Sequence, residues 1–342
     1  MYLQIIAFLL SLQTFTHTNP IKESIPLTTA DIVFKSTDGG HTWQDVSAGL
    51  PKGLPISTVF ANGEELILGH EHGLYHSKST SNKPNWAKEI FLNENILDLY
   101  PGKAGPYARS SDKGLLQEAA NTDVWIPIFG AMKDETIRTI LESNDNTIFI
   151  GCNNGIYKSI DGGTSWKQVL ASVMVYELLL HDNVLIAGSA NGLLRSTDGG
   201  NHWESVLKED GATRLITTID NKLVAVLFGV GPWNQQDSVK TAENTIRQSM
   251  DGGKTWQKIY KNLSQHRYMF KAEEKSSADR FVYGIVQLGK NIFSSTNTGI
   301  YRSSDQGKSW ELVLPPSDDK MKFFELAVSG NVIFAVNVFG GC

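Results

Sequence analysis

Two arginines with a tyrosine between them carry the most specific chemistry in this chain. Aligning the segments that begin IRTI, VYEL and TRLI stacks Arg138, Tyr176 and Arg214 at matching places, with Tyr283 and Phe324 at corresponding positions further on. Two guanidiniums flanking a phenol can hold a carboxylate or a sulfate through paired N–H donors. His70 and His72 stand two residues apart, which on a strand turns both imidazoles to one face, the start of a metal site. No third ligand accompanies them, so no metal and no cofactor is assigned. Asp98, Glu177 and Glu325 fall on segments of the same kind. A glycosidase would need two such carboxylates facing each other about 5–10 Å apart. Trp233 and Tyr268 sit in two long polar insertions, 227–244 and 261–280, where an aromatic ring suits stacking on a sugar or anchoring a partner.

The elements that must position these residues come from a repeat. STDGGHTW at 36–43, SIDGGTSW at 159–166, STDGGNHW at 196–203 and SMDGGKTW at 249–256 share one ungapped pattern, and SSDQGKSW at 303–310 loses one glycine. Two eroded copies fit between the first and second: one from Ser77 to Trp86, and SSDKG at 110–114 followed by Trp125. The starting serines are then 41, 33, 49, 37, 53 and 54 residues apart. Spacing near 40–50 residues is that of propeller blades. Seven of the eight tryptophans close a box, and Trp233 alone lies off the pattern.

Most boxes follow a short β-rich run such as GIYKS (155–159) or GLLRS (192–196), and another follows them. A strand, an Asp-Gly-Gly turn that tolerates positive φ, and a second strand make a hairpin. Two further strands upstream complete a four-stranded unit. At the ends of the chain, NVIFAVNVFG (331–340) copies the second strand of a unit and stops, while IVFKSTDGGHTW (32–43) begins where that copy breaks off. The expected fold is therefore all-β, a single seven-bladed β-propeller closed by pairing of the N- and C-terminal strands. A six-bladed ring is the alternative if 77–125 forms less than two blades.

These units resemble Asp-boxes, or BNR repeats, which recur in sialidases, sortilin-type receptor ectodomains, xyloglucanase-type glycoside hydrolases and photosystem II assembly factor propellers. The resemblance implies structural roles at the hairpin turns for Asp38, Trp43, Asp161, Trp166, Asp198, Trp203, Asp251, Trp256, Asp305 and Trp310. It does not imply an activity, because fold and function separate. Sialidases of this kind also carry an Arg-Ile-Pro motif and an arginine triad. This chain has no Arg-Ile-Pro, and four of its eight arginines lie on strands leading into boxes.

In such a ring the candidate mouth is formed by His70–His72, Asn153–Asn154, Asn191, Thr296–Thr298 and the two insertions. A net charge of −5 and a pI near 5.9 argue against a nucleic-acid partner. Residues 1–20 carry no charged side chain, and the apolar run from Leu3 to Leu12 has the length of a signal-peptide core, not of a membrane span. The expected organisation is a signal peptide over 1–18, a leader over 19–30 and the propeller over 31–342. The two cysteines, Cys152 and Cys342, leave pairing open. The reading is an exported, monomeric, non-catalytic binding or assembly module that takes a protein segment or a glycan at one channel mouth, with a BNR-type glycoside hydrolase as the alternative.

Overall fold

The computed structural model describes residues 30–81, 83–90, 92–119, 124–128, 136–208, 211–229, 245–259, 282–316 and 323–338. They form seven antiparallel four-stranded sheets, with no helix among the described residues. The innermost strands are Ile56–Asn62, Ile96–Tyr100, Ile137–Glu142, Val175–His181, Gly211–Ile219, Val282–Leu288 and Phe323–Ser329. We number the blades so that blade 1 contains both chain ends and blades 2 to 7 follow in chain order.

Blade 1 closes the ring. Its two inner strands, Phe323–Ser329 and Val332–Val338, come from the C-terminal side, and its two outer strands, Val33–Ser36 and Gln44–Asp45, from the N-terminal side. Val33, Phe34, Lys35 and Ser36 pair with Val336, Ala335, Phe334 and Ile333. Asn337 adds a backbone N–H bond to the Ile32 carbonyl at 2.8 Å. The junction satisfies a row of strand groups that would otherwise be an open edge. The chain therefore enters and leaves the ring at the same face, where second strands end and third strands begin.

Apolar clusters fill the spaces between neighbouring blades. Trp86 of blade 2 packs with Val33, Val46 and Val336 of blade 1, and its indole N–H donates to the Val46 carbonyl at 2.9 Å. Phe149 of blade 4 packs with Leu185 and Ala187 of blade 5.

The box turns share one geometry. In blade 5, Ser196 Oγ donates to Asp198 Oδ1 at 2.8 Å and accepts the Gly200 N–H, while Asp198 Oδ1 also accepts the N–H groups of Asn201 and His202. These bonds hold the Asp198 carboxyl far below its usual range. Trp203 closes the turn by donating its indole N–H to the Gly200 carbonyl at 3.1 Å, and Trp166, Trp256 and Trp310 do the same in their own boxes. Gly200 has φ of +80°, and a Cβ there would meet Phe149 of the preceding blade at 2.6 Å, so the turn sits directly on its neighbour.

Blade 3 corrects the sequence alignment. SSDKG is the turn between the second strand Tyr107–Ser110 and the third strand Gly114–Ala119, on the opposite face from the boxes. Strand register puts the box frame of this blade at Glu118 to Trp125, ungapped, so the first four frames start 41 residues apart each time. The two eroded copies thus belong to two full blades, 56–88 and 96–127.

Burial of the box tryptophans also differs from blade to blade. Trp310 and Trp86 are buried, whereas Trp43, Trp166, Trp203 and Trp256 are half-buried at the rim. Replacing Trp310 by alanine is expected to cost about 3–5 kcal/mol, and replacing Trp166 about 1–2 kcal/mol. Urea unfolding of the two variants measures the difference; equal losses would show that ring burial does not set the contribution of these residues.

Candidate functional site

Six of the seven innermost strands contain a one-residue register shift against their partner, at the same place in each blade. The residues left unpaired are Ser57, Leu97, Arg138, Tyr176, Arg214 and Tyr283. A bulge bends the strand and re-aims the extra side chain, here at the end of the channel where fourth-to-first and second-to-third connections meet. Arg138, Tyr176 and Arg214 thereby come together across blades 4, 5 and 6. The Arg138 guanidinium lies 4.9 Å from the Tyr176 ring centroid, and that of Arg214 lies 5.2 Å from it. Arg214 also lies 5.7 Å from the Phe228 ring. Arg138 Nε donates to Asn153 Oδ1 at 2.5 Å, in the turn of its own blade. Cation–π stacking holds both guanidiniums without neutralising them. Among the described residues neither has a carboxylate partner.

Blade 1 departs from the pattern. Its innermost strand pairs without a shift, and Phe324 is buried core, packed edge-on against Phe34 at 6.0 Å. Phe323 instead meets the Tyr283 ring at 4.8 Å. Phe324 is thus not a mouth residue, because a regular ladder turns it between the blades.

One residue deeper along the strands lies a second ring. Asp98, Glu177 and Glu325 occupy matching positions on blades 3, 5 and 1, with Thr58 and Thr139 on blades 2 and 4. Burial pushes the carboxyls of Glu177 and Glu325 up to about 8, and the charge of Asp98 adds to both shifts. Burial also raises Asp98 itself, opposed by Arg109, whose Nε donates to Asp98 Oδ2 at 2.7 Å. Thr58 Oγ1 and the Val59 N–H donate to Glu325, both at 3.3 Å.

His70 and His72 do not share a face. The strand Glu65–His70 ends at His70, and His72 stands in the turn beyond, so the period of two does not apply. His70 is buried, stacked on Tyr75 at 5.2 Å, and its Nδ1 accepts the His72 backbone N–H at 3.2 Å. Burial lowers its imidazole to about 4. The His72 ring stands edge-on to it at 6.2 Å. His70 is a packing residue, and the pair has no shared ligand direction. Trp233, Tyr268, Cys342 and residues 1–29 lie outside the described residues. Among the described residues no helix is long and apolar enough to cross a membrane.

A seven-bladed propeller with a cationic, aromatic lip above an acidic channel is thus the class of protein that the coordinates define. The chain belongs to the DUF6242 beta propeller domain family, whose model matches residues 101–337. No curated protein matches the sequence. Among solved structures it is similar to an ancestral GH74 enzyme, at 15% identity and a TM-score of 0.59, over 89% of this chain and 45% of that one. The chain thus spans less than half of that enzyme. It is also similar to YCF48 from Cyanidioschyzon merolae (12% identity, TM-score 0.56, 84% of this chain and 97% of that one). A YCF48 solved with a D1 peptide bound gives 14% identity and a TM-score of 0.55, over 85% and 94% of the two chains. At these identities the likeness is one of fold.

The channel acids have a measurable consequence. The folded-state values of Glu177 and Glu325, about 8, exceed the ordinary carboxyl value of 4.5, so between these limits the folded chain holds protons that the unfolded chain releases. Stability therefore falls as pH rises through that window. Glu177→Gln and Glu325→Gln remove this cost. Each variant should melt a few degrees above wild type at pH 8 and show no such advantage at pH 4.5, by calorimetry across that range. A constant offset at all pH values would contradict the assignment.

Proposed function

We propose that this propeller is an exported, non-catalytic binding or assembly module that captures a carboxylate-bearing protein segment at the channel mouth, on Arg138 and Arg214 around Tyr176. The carrying observation is the pair of guanidiniums without carboxylate partners among the described residues, stacked on one phenol and spread over three blades. Arg138 spends its Nε on Asn153, which leaves its terminal N–H groups for a ligand. A planar carboxylate matches that donor fork. YCF48 with its D1 peptide supports a peptide occupant, since it is a propeller of nearly the same extent. The box turns are read as Asp-boxes, residues 1–18 as a signal peptide, 19–30 as a leader, and Trp233 and Tyr268 as further contacts from the insertions at the same mouth.

A glycoside hydrolase is the second reading. Asp98, Glu177 and Glu325 converge on one channel, and Glu177 retains its proton up to about 8, as a general acid must. The two readings separate on one set of arrays. A binding module retains peptides with free C-terminal carboxylates or acidic side chains, and Arg138→Ala or Arg214→Ala lowers that retention about tenfold or more. A hydrolase instead releases reducing sugar from a glycan panel and loses that release in Glu177→Gln. Carboxylate retention that is indifferent to both arginine variants would overturn the first reading.

A further inference from the structure

Blade 3 carries a polar chain that the other six blades lack. At the places of Tyr100 and Arg109 the other blades carry apolar or small residues, whereas blade 3 joins these two side chains to Asp98, whose place is also acidic in blades 5 and 1. The places that match Tyr100 by strand register hold Phe60, Leu141, Leu179, Thr217, Val286 and Ala327. Three of the six places that match Arg109 are glycines, Gly69, Gly151 and Gly188. Arg109 holds Asp98 through Nε at 2.7 Å and through Nη2, and the charges of both act on the Tyr100 phenol beside them. Tyr100 in turn donates its O–H to the backbone carbonyl of Arg138, on the neighbouring blade, at 2.7 Å.

That acceptor belongs to the bulge. Arg138 is the residue that the ladder between Ile137–Glu142 and Ile148–Cys152 leaves without a paired residue, and its carbonyl accepts the Tyr100 hydroxyl. A backbone carbonyl away from the ladder needs another donor, and its side chain points only as well as its backbone is held. We propose that Tyr100, oriented by Asp98 and Arg109, is the positioning residue of the anion-binding lip, fixing the Arg138 bulge so that its guanidinium stays on Tyr176. The inference rests on the reading of that lip as an anion site. Two anchors then act on one arginine: Tyr100 on the backbone and Asn153 on Nε. Burial raises the Tyr100 phenol well above its ordinary value, so the hydroxyl remains a donor across the working pH range. Apolar residues would fill this space without desolvating charges. A fully paired chain of hydrogen bonds is instead a device for holding one geometry.

The test is a double-mutant cycle with inorganic sulfate as the probe, followed by NMR of the arginine Nε–H signals. Tyr100→Phe keeps the ring and removes only the hydroxyl. It should weaken sulfate binding about tenfold in the wild-type background and less than twofold in the Arg138→Ala background, because the effect passes through Arg138. Without sulfate, the Arg138 Nε–H signal should shift and lose protection from exchange in Tyr100→Phe, while that of Arg214 stays in place. Equal losses of affinity in both backgrounds, or an unchanged Arg138 signal, would overturn the positioning role. If Arg138→Ala itself leaves sulfate binding intact, the anion reading of the lip fails, and the sulfate-free Arg138 signal still decides whether Tyr100 holds the bulge.

Discussion

The ring depends on a grip between neighbours: a basic side chain just before one blade's box donates to a backbone carbonyl in the next blade's box turn. Arg302 of blade 7 reaches the Gly39 carbonyl of blade 1 at 2.9 Å, and Arg195 of blade 5 reaches that of Gly252 in blade 6 at 2.8 Å. Lys158 of blade 4 reaches Gly199, and Lys35 of blade 1 reaches Ser81, each at 2.8 Å. Four of the seven junctions are held in this way among the described residues. The box makes the grip possible, because serine and aspartate satisfy the turn's amides from inside and leave the glycine carbonyl facing the previous blade. Arg195 and Arg302 are largely buried and also hold Glu204 and Glu311 on their outer strands. One cation thereby ties two strands of one sheet to the box turn of the next. Charge-assisted bonds of this kind are stronger than ordinary ones and directional, which apolar packing between blades is not.

Much of this was legible in the sequence because the box is ungapped. Asp-Gly-Gly with a following tryptophan cannot drift in register, so the repeat could be read from the boxes, and the shared closing blade from the copy of a second strand at 331–340. The grip was also visible, in Lys35, Lys158, Arg195 and Arg302 one residue before their boxes, but it passed unread because a basic residue on a strand looks solvated. Blade 3 misled for a physical reason. Ser-Asp-Lys-Gly has the composition of a box turn, yet a polar turn with glycine suits either end of a hairpin, and only the register of Gly114 shows which end it closes. The paired histidines failed in the same way. Alternation along a strand assumes that the strand continues, and Glu65–His70 ends at the first of them.

The bulged inner strands explain why the lip could be aligned only with a gap. A regular ladder would point each of these side chains between blades, as it does for Phe324, and bury it. The extra residue frees one position in each of these six blades for display, while its neighbours on the same strand, such as Ile56, Ile96 and Val175, stay in the core. Display and packing thus fall to different positions of one strand, so the lip can vary from blade to blade (serine, leucine, arginine, tyrosine) with the sheet beneath it unchanged.

The two rings of the channel also depend on each other. Three ionised carboxylates a residue below the lip would draw the field of Arg138 and Arg214 inward and weaken their hold on an incoming anion. Burial prevents this by keeping Glu177 and Glu325 protonated up to about 8, and Arg109 offsets the charge of Asp98. The throat is then close to neutral over the range in which a protein carboxylate is fully ionised, and the lip presents its positive charge outward. The same burial that costs stability as pH rises is what would let two arginines on a net-negative protein serve the proposed anion site.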